Sequence, residues 1–225
     1  MKKLAFFDFC DTLVSFQTAD AFIDYVRQNE GNFYMKFMNT ISIVTTKIKL
    51  ITVLNKLFPY SGFSKKIKLL QLRGLSFEKL DNLAEMYYKA LIKPNLIVPV
   101  LSEMKRVRQK GYEVCIVSAG YSVYLKYFAK EYNIKHLIAT KIKFNRKDSK
   151  CLGAISGKDC IHIEKINRIN SYFDSQELDY KNSISFSDSI SDMPLLSMTG
   201  KGVVVSKITS QSWSHLHNFN EIVWT

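Results

Sequence analysis

Four short apolar runs punctuate the chain: Leu4-Ala5-Phe6-Phe7, Val114-Cys115-Ile116-Val117, Ser183-Ile184-Ser185-Phe186 and Gly202-Val203-Val204-Val205. Runs of this length, bounded by polar residues, predict buried strands. Between them, apolar residues recur at helical spacing. Residues 96–110 carry Leu101, Met104 and Val107, residues 121–132 follow Gly120, and residues 160–173 are built around Ile163, Ile166 and Ile169. Apolar strands alternating with helices predict an α/β fold, a parallel sheet with helices on both faces. The first three runs lead directly into Asp8, Ser118-Ala119-Gly120 and Ser187-Asp188. In open α/β sheets, ligands bind beyond the C-terminal ends of the strands.

Residues 15–95 break this alternation. Helix formers dominate, and the pattern predicts helices over 18–29, 32–57, 63–72 and 76–91, separated by Gly31, Pro59, Gly62 and Gly74. The expected organisation is a core of residues 1–14 and 96–225 carrying a helical insert at 15–95.

The composition narrows the class. With 225 residues, 47% of them hydrophobic, the chain can bury one core with a modest insert. Its 32 Lys+Arg against 20 Asp+Glu give a net charge of +12, which favours anionic partners. Cys10, Cys115, Cys151 and Cys160 form neither a CxxC pair nor a zinc spacing. Only four apolar residues precede Asp8, so no secretion signal is expected, nor a transmembrane helix. Free thiols in a reducing cytoplasm follow as the expectation.

Four positions carry candidate chemistry. Asp8 ends a buried strand, which is costly unless a cation or hydrogen bonds compensate it; alone it reads equally well as a turn cap. Asp188 and Asp192 stand four apart after another strand. An N-cap would account for one of them but not both. With Asp8 they make an oxygen-rich site suited to Mg²⁺. Ser118, ahead of Gly120, offers a hydroxyl and backbone N–H groups to an anion, although an ordinary N-cap looks the same. Lys165, taken alone, reads as a surface charge.

Taken in order, Asp8, Ser118, Lys165 and Asp188/Asp192 resemble the four motifs of the haloacid dehalogenase (HAD) superfamily. Val117-Ser118-Ala119-Gly120, then Leu152-Gly153-Ala154, Gly157, Cys160 and Glu164-Lys165, and finally Ser187-Asp188-Ser189 with Asp192, Pro194, Leu195 and Leu196 are similar to its phosphoserine-phosphatase-like branch, subfamily IB. The resemblance implies a Rossmann-like HAD core and a helical C1 cap at 15–95. It also implies a Mg²⁺-dependent phosphatase in which Asp8 attacks phosphorus and forms an aspartyl-phosphate. Asp8, the Cys10 carbonyl and Asp188 would hold Mg²⁺, with Asp192 steadying that shell. Thr12, Ser118, Ala119 and Lys165 would contact the phosphoryl group, and Gln17 the rest of the substrate.

One departure stands out. Phosphatases of the family usually carry a second Asp two residues after the nucleophile, as leaving-group acid and water-activating base. Here that position is Cys10, with Asp11 where Gly is common. A thiol of reference pKa about 8.5 is a weak acid. The expected substrate is a small phosphorylated metabolite: an amino-alcohol, amino-acid or sugar-alcohol phosphate, in a surface-polysaccharide pathway by family association. Two alternatives stay open: a lipid-headgroup phosphatase, and a slow or regulatory protein that binds phosphate ligands because of Cys10. The basic, apolar-rich segment 33–73 raises peripheral membrane contact, although an ordinary inward-packed helix face is the stronger expectation. No nucleic-acid module is recognisable, and the sequence leaves the oligomeric state open.

Overall fold

A computed structural model describes residues 1–31, 33–47, 63–174 and 178–225. Strands β1 (Leu4–Phe7), β2 (Glu113–Tyr121), β3 (His136–Phe144), β4 (Cys151–Ser156), β5 (Ile184–Ser187), β6 (Lys201–Lys207) and β7 (Asn220–Trp224) form one sheet among these residues. The order is β4-β3-β2-β1-β5-β6-β7. Neighbours run parallel except β3 and β4, which form an antiparallel hairpin. This is the α/β sheet that the apolar runs predict.

The period-two geometry of a strand sends alternate side chains to opposite faces. In β1, Ala5 and Phe7 enter the larger hydrophobic cluster, whereas Leu4 and Phe6 enter a smaller one with Cys115, Val117, Ile169 and Leu195. Both faces are therefore covered, and β1 and β5 are buried along their whole length. Phe7 and Phe186 stack across the β1–β5 pair with ring centroids 4.2 Å apart.

The helices are α1 (Thr18–Glu30), α2 (Phe33–Lys47), α3 (Phe63–Leu69), α4 (Phe77–Tyr87), α5 (Val98–Gln109), α6 (Ser122–Glu131), α7 (Ile163–Tyr172), α8 (Met193–Met198) and α9 (Ser212–Leu216). Each predicted helix with described residues has a counterpart here. Residues 48–62, which hold the rest of the 32–57 prediction with Pro59 and Gly62, lie outside the described residues. In α2, Met35 is buried while Phe37, Ile43 and Val44 are exposed, so the expected inward packing is partial there. Strands β3, β4 and β7 were not expected from the apolar runs. Among the described residues no helix is long and apolar enough to cross a membrane.

Candidate active site

The C-terminal ends of β1, β2 and β5 lie side by side, and the predicted residues converge there. The Asp8 amide donates to the Phe186 carbonyl at 2.9 Å, extending the β1–β5 ladder by one residue. Lys165, in the first turn of α7, is only 3% exposed. Its ammonium donates to Asp8 Oδ1 at 2.8 Å and to Asp192 Oδ2 at 2.5 Å. Ser187 Oγ donates to the same Asp192 oxygen at 2.7 Å. Thr12 Oγ1 accepts from the Asp188 amide at 3.0 Å and donates to Asp188 Oδ1 at 3.2 Å, tying the turn after β1 to the loop after β5.

Ser118 is fully buried near the end of β2, and its Oγ accepts from the Gly120 amide at 3.0 Å. The hydroxyl proton is thereby left to donate elsewhere. Gly120 has a steric reason to be glycine. A Cβ there would stand 2.8 Å from the Tyr124 hydroxyl and 3.2 Å from Ser118 Oγ.

The electrostatics are those of a carboxylate-rich crevice. Burial pushes Asp8 up to about 6 against the pull of Lys165. Asp188 is pushed up to about 7 by burial and by the negative charges of Asp8 and Asp11. Burial alone would lower the Lys165 ammonium, but Asp8 and Asp192 outweigh it and hold the group above its ordinary range. The Asp8 charge thus disfavours ionisation of Asp188, and Asp192 that of Asp8, a conflict that a bound cation would relieve. No cluster of three or more His, Cys, Asp or Glu capable of holding a metal occurs among the described residues. Mg²⁺ does not need one: it is bound through one or two carboxylates and keeps several waters. Asp8 and Asp188, with a backbone carbonyl, fit that demand.

Cys10 is 8% exposed and its thiol is engaged on the α1 side. Sγ lies 3.1 Å from Thr18 Oγ1 and accepts from the Thr18 amide at 3.4 Å. Thr18 Oγ1 in turn lies 2.8 Å from the Tyr124 hydroxyl. Burial, and then the Asp8 charge, push the thiol up to about 12, so it stays protonated at neutral pH. Asp11 adopts the left-handed backbone conformation (φ 51°), which Asp tolerates better than most residues. Its carboxylate accepts from Gln17 Nε2 at 2.5 Å.

The solved structures that resemble this chain share its fold at low sequence identity. A protein of unknown function from Bordetella pertussis Tohama I superposes with a TM-score of 0.80 at 20% identity, over 99% of this chain and 98% of that one. A substrate-bound phosphoserine phosphatase complex gives 0.58 at 16% identity, over 91% and 86%. A phosphoserine phosphohydrolase-like protein from Francisella tularensis subsp. tularensis SCHU S4 gives 0.56 at 16%, over 99% and 94%. No curated protein sequence matches significantly. The family model of the haloacid dehalogenase-like hydrolases matches residues 5–197. The chain belongs to that family. The match runs from β1 into α8 and takes in every HAD residue named above.

Three polar residues of this HAD site were not singled out from sequence. Thr18 holds the Cys10 thiol. Lys65, on α3, donates to the Ala119 carbonyl at 2.6 Å and to Asp159 Oδ1 at 2.7 Å. Asp159 also accepts from Thr140 Oγ1 at 2.5 Å. A threonine opening a helix and one lysine among many give no signal in sequence; only the fold brings them to the site.

Proposed function

We propose that the protein is a Mg²⁺-dependent phosphomonoester hydrolase that works through an aspartyl-phosphate at Asp8. The observation that carries this reading is the buried Asp8–Lys165–Asp192 set beside Ser118. It pairs a carboxylate nucleophile with a fixed cation, at the strand edge where α/β folds bind ligands. The Asp8 carboxylate attacks phosphorus as the ester P–O bond breaks, and the oxygen leaves on the far side. Water then attacks the phosphoryl group and releases Asp8. Lys165 and the Ser118 hydroxyl, with the Ala119 amide, bind the phosphoryl oxygens as charge spreads over them. Asp192 and Ser187 keep the Lys165 ammonium aimed. Thr12 holds the Asp188 carboxylate in place. Asp8, Asp188 and the Cys10 carbonyl would hold Mg²⁺, whose charge when bound offsets that of the phosphoryl group. Residues 15–95 would act as a cap that excludes water during the reaction. The reach of Lys65 to Ala119 supports that role.

Cys10 favours slow turnover as a further element of this reading. Its thiol is buried against Thr18 and stays protonated, so it supplies neither a matched acid nor a base.

Phosphate release from a panel of phosphomonoesters, with Mg²⁺ and with EDTA, tests the reading. Turnover should require Mg²⁺ and disappear in Asp8→Asn, with the thermal midpoint of that variant close to wild type. Turnover that survives in Asp8→Asn would rule out the aspartyl-phosphate.

A further inference from the structure

A cavity of about 1040 Å³ lies beside the phosphoryl site, between α3 and the core. Its apolar lining comes from Ile67 and Leu70 on one side and Ile155, Ile161, Ile163 and Pro194 on the other, with polar side chains between them. Small-molecule sites occupy about 300–1,000 Å³, so this one is at the large end. The reaction above uses no side chain that lines it.

The cavity and the phosphoryl site are nearly in contact. Asp159 lines the cavity. Ala119 belongs to the loop that would bind the phosphoryl group. One ammonium, Lys65 Nζ, lies 2.6 Å from the Ala119 carbonyl and 2.7 Å from the Asp159 carboxylate. A single cation therefore bridges the two compartments. Beneath it, at 5.1 Å, is the ring of Tyr121, whose buried hydroxyl has no hydrogen-bond partner among the described residues. A second ion pair at the cavity, Lys158 with Glu164, is already matched within the protein.

We infer that the cavity receives the apolar chain of the alcohol being released, so that the substrate is a phosphate monoester of a long-chain amphiphilic alcohol. The inference rests on the phosphatase reading and names its substrate class. Most of the polar side chains that also line it, Asp159, Glu164, Asn167 and Ser191 among them, already bond within the protein, so a sugar alcohol or amino alcohol would gain little there. An alkyl chain loses nothing there, while its phosphate head remains with the cations Lys165 and Lys65.

The test is the affinity of n-alkyl phosphates, ethyl through decyl and below their micelle concentrations. Calorimetry on Asp8→Asn with Mg²⁺ gives binding without turnover. Phosphate release by wild type on the same series reports the phosphatase reading separately. Beyond the shortest members, each added methylene should tighten binding about two- to fourfold until the cavity fills. Ala154→Trp, which narrows the cavity, and Ile163→Asp, at a position 59% exposed, should flatten this dependence and leave ethyl phosphate binding unchanged. Equal affinity across the series would overturn the inference. So would an undiminished chain-length dependence in both folded variants. A chain-length dependence without wild-type turnover would support the cavity and reject the phosphatase reading.

Discussion

Asp188 is half-buried and Cys10 buried beside the same carboxylate, Asp8, and each makes a measurable statement. Asp188 and Asp8 are held near 7 and 6 in the metal-free fold, above an unfolded value of about 3.9. The native state therefore binds more protons than the unfolded chain across that interval. Groups of this kind stabilise the fold fully below their unfolded pKa and lose that contribution as pH rises through the folded value. In EDTA, the urea midpoint should accordingly rise as pH falls from about 7 towards 4. Saturating Mg²⁺ should flatten the slope, since the carboxylates are then ionised and paired. Asp188→Asn should remove most of the slope above pH 6. An identical slope in EDTA and in Mg²⁺ would mean that these carboxylates do not meet the metal.

Cys10 yields the second residue-scale prediction. Thr18 already offers it a hydroxyl and an amide, and a carboxylate at position 10 would accept the same two bonds. General acid–base groups contribute about 10²–10⁴ in rate. Cys10→Asp should thus raise kcat at least about tenfold on esters with poor leaving groups. The gain should be smaller on aryl phosphates, whose oxygen needs little protonation. A rate that is unchanged or lower would show that the thiol is not the limiting defect.

At the scale of elements, what the sequence reveals follows burial. β1 and the cores of β2 and β6 are covered on both faces and appear as continuous apolar runs, whereas β5 alternates Ile184 and Phe186 with the small buried Ser185 and Ser187. β4 and β7 are the edges of the sheet and only part-buried, and their apolar stretches are short: Cys151-Leu152 and Ala154-Ile155 either side of Gly153, and Ile222-Val223-Trp224. β3 mixes the two regimes. Ile138, Ala139 and Thr140 are buried, whereas Lys141 and Lys143 alternate outward once the strand has turned into its hairpin with β4. The expected positions Asp8, Lys165 and Asp192 share one hydrogen-bonded network, and Asp188 is held by Thr12 after the neighbouring strand; all follow strand ends or open a helix, where sequence punctuation is strong. Lys65, Asp159 and Thr18 are joined only by tertiary contact. No periodicity could show that a lysine of the 15–95 segment reaches the carbonyl of Ala119. The cavity escaped the sequence reading for the same reason: its walls come from α3, β4, the segment 157–162, α7 and α8, which only the fold brings together.

The whole molecule carries a charge of +12, yet its reaction centre gathers Asp8, Asp11, Asp188 and Asp192. A phosphate dianion approaching that crevice meets local repulsion within an attractive overall field. In the proposed reaction Mg²⁺ and Lys165 would answer the repulsion at contact distance, and the surplus of lysines would act at long range. The two ranges respond differently to salt. Between about 0.01 M and 0.15 M ionic strength the Debye length contracts from about 30 Å to about 8 Å, which screens the distant lysines and leaves the buried Asp8–Lys165 contact nearly intact. With Mg²⁺ saturating, kcat/KM for a dianionic phosphomonoester should therefore fall several-fold over that range while kcat holds steady. Loss of kcat in parallel would place the sensitive charges at the reaction centre itself. A kcat/KM indifferent to salt would mean that the basic surface does not serve substrate capture.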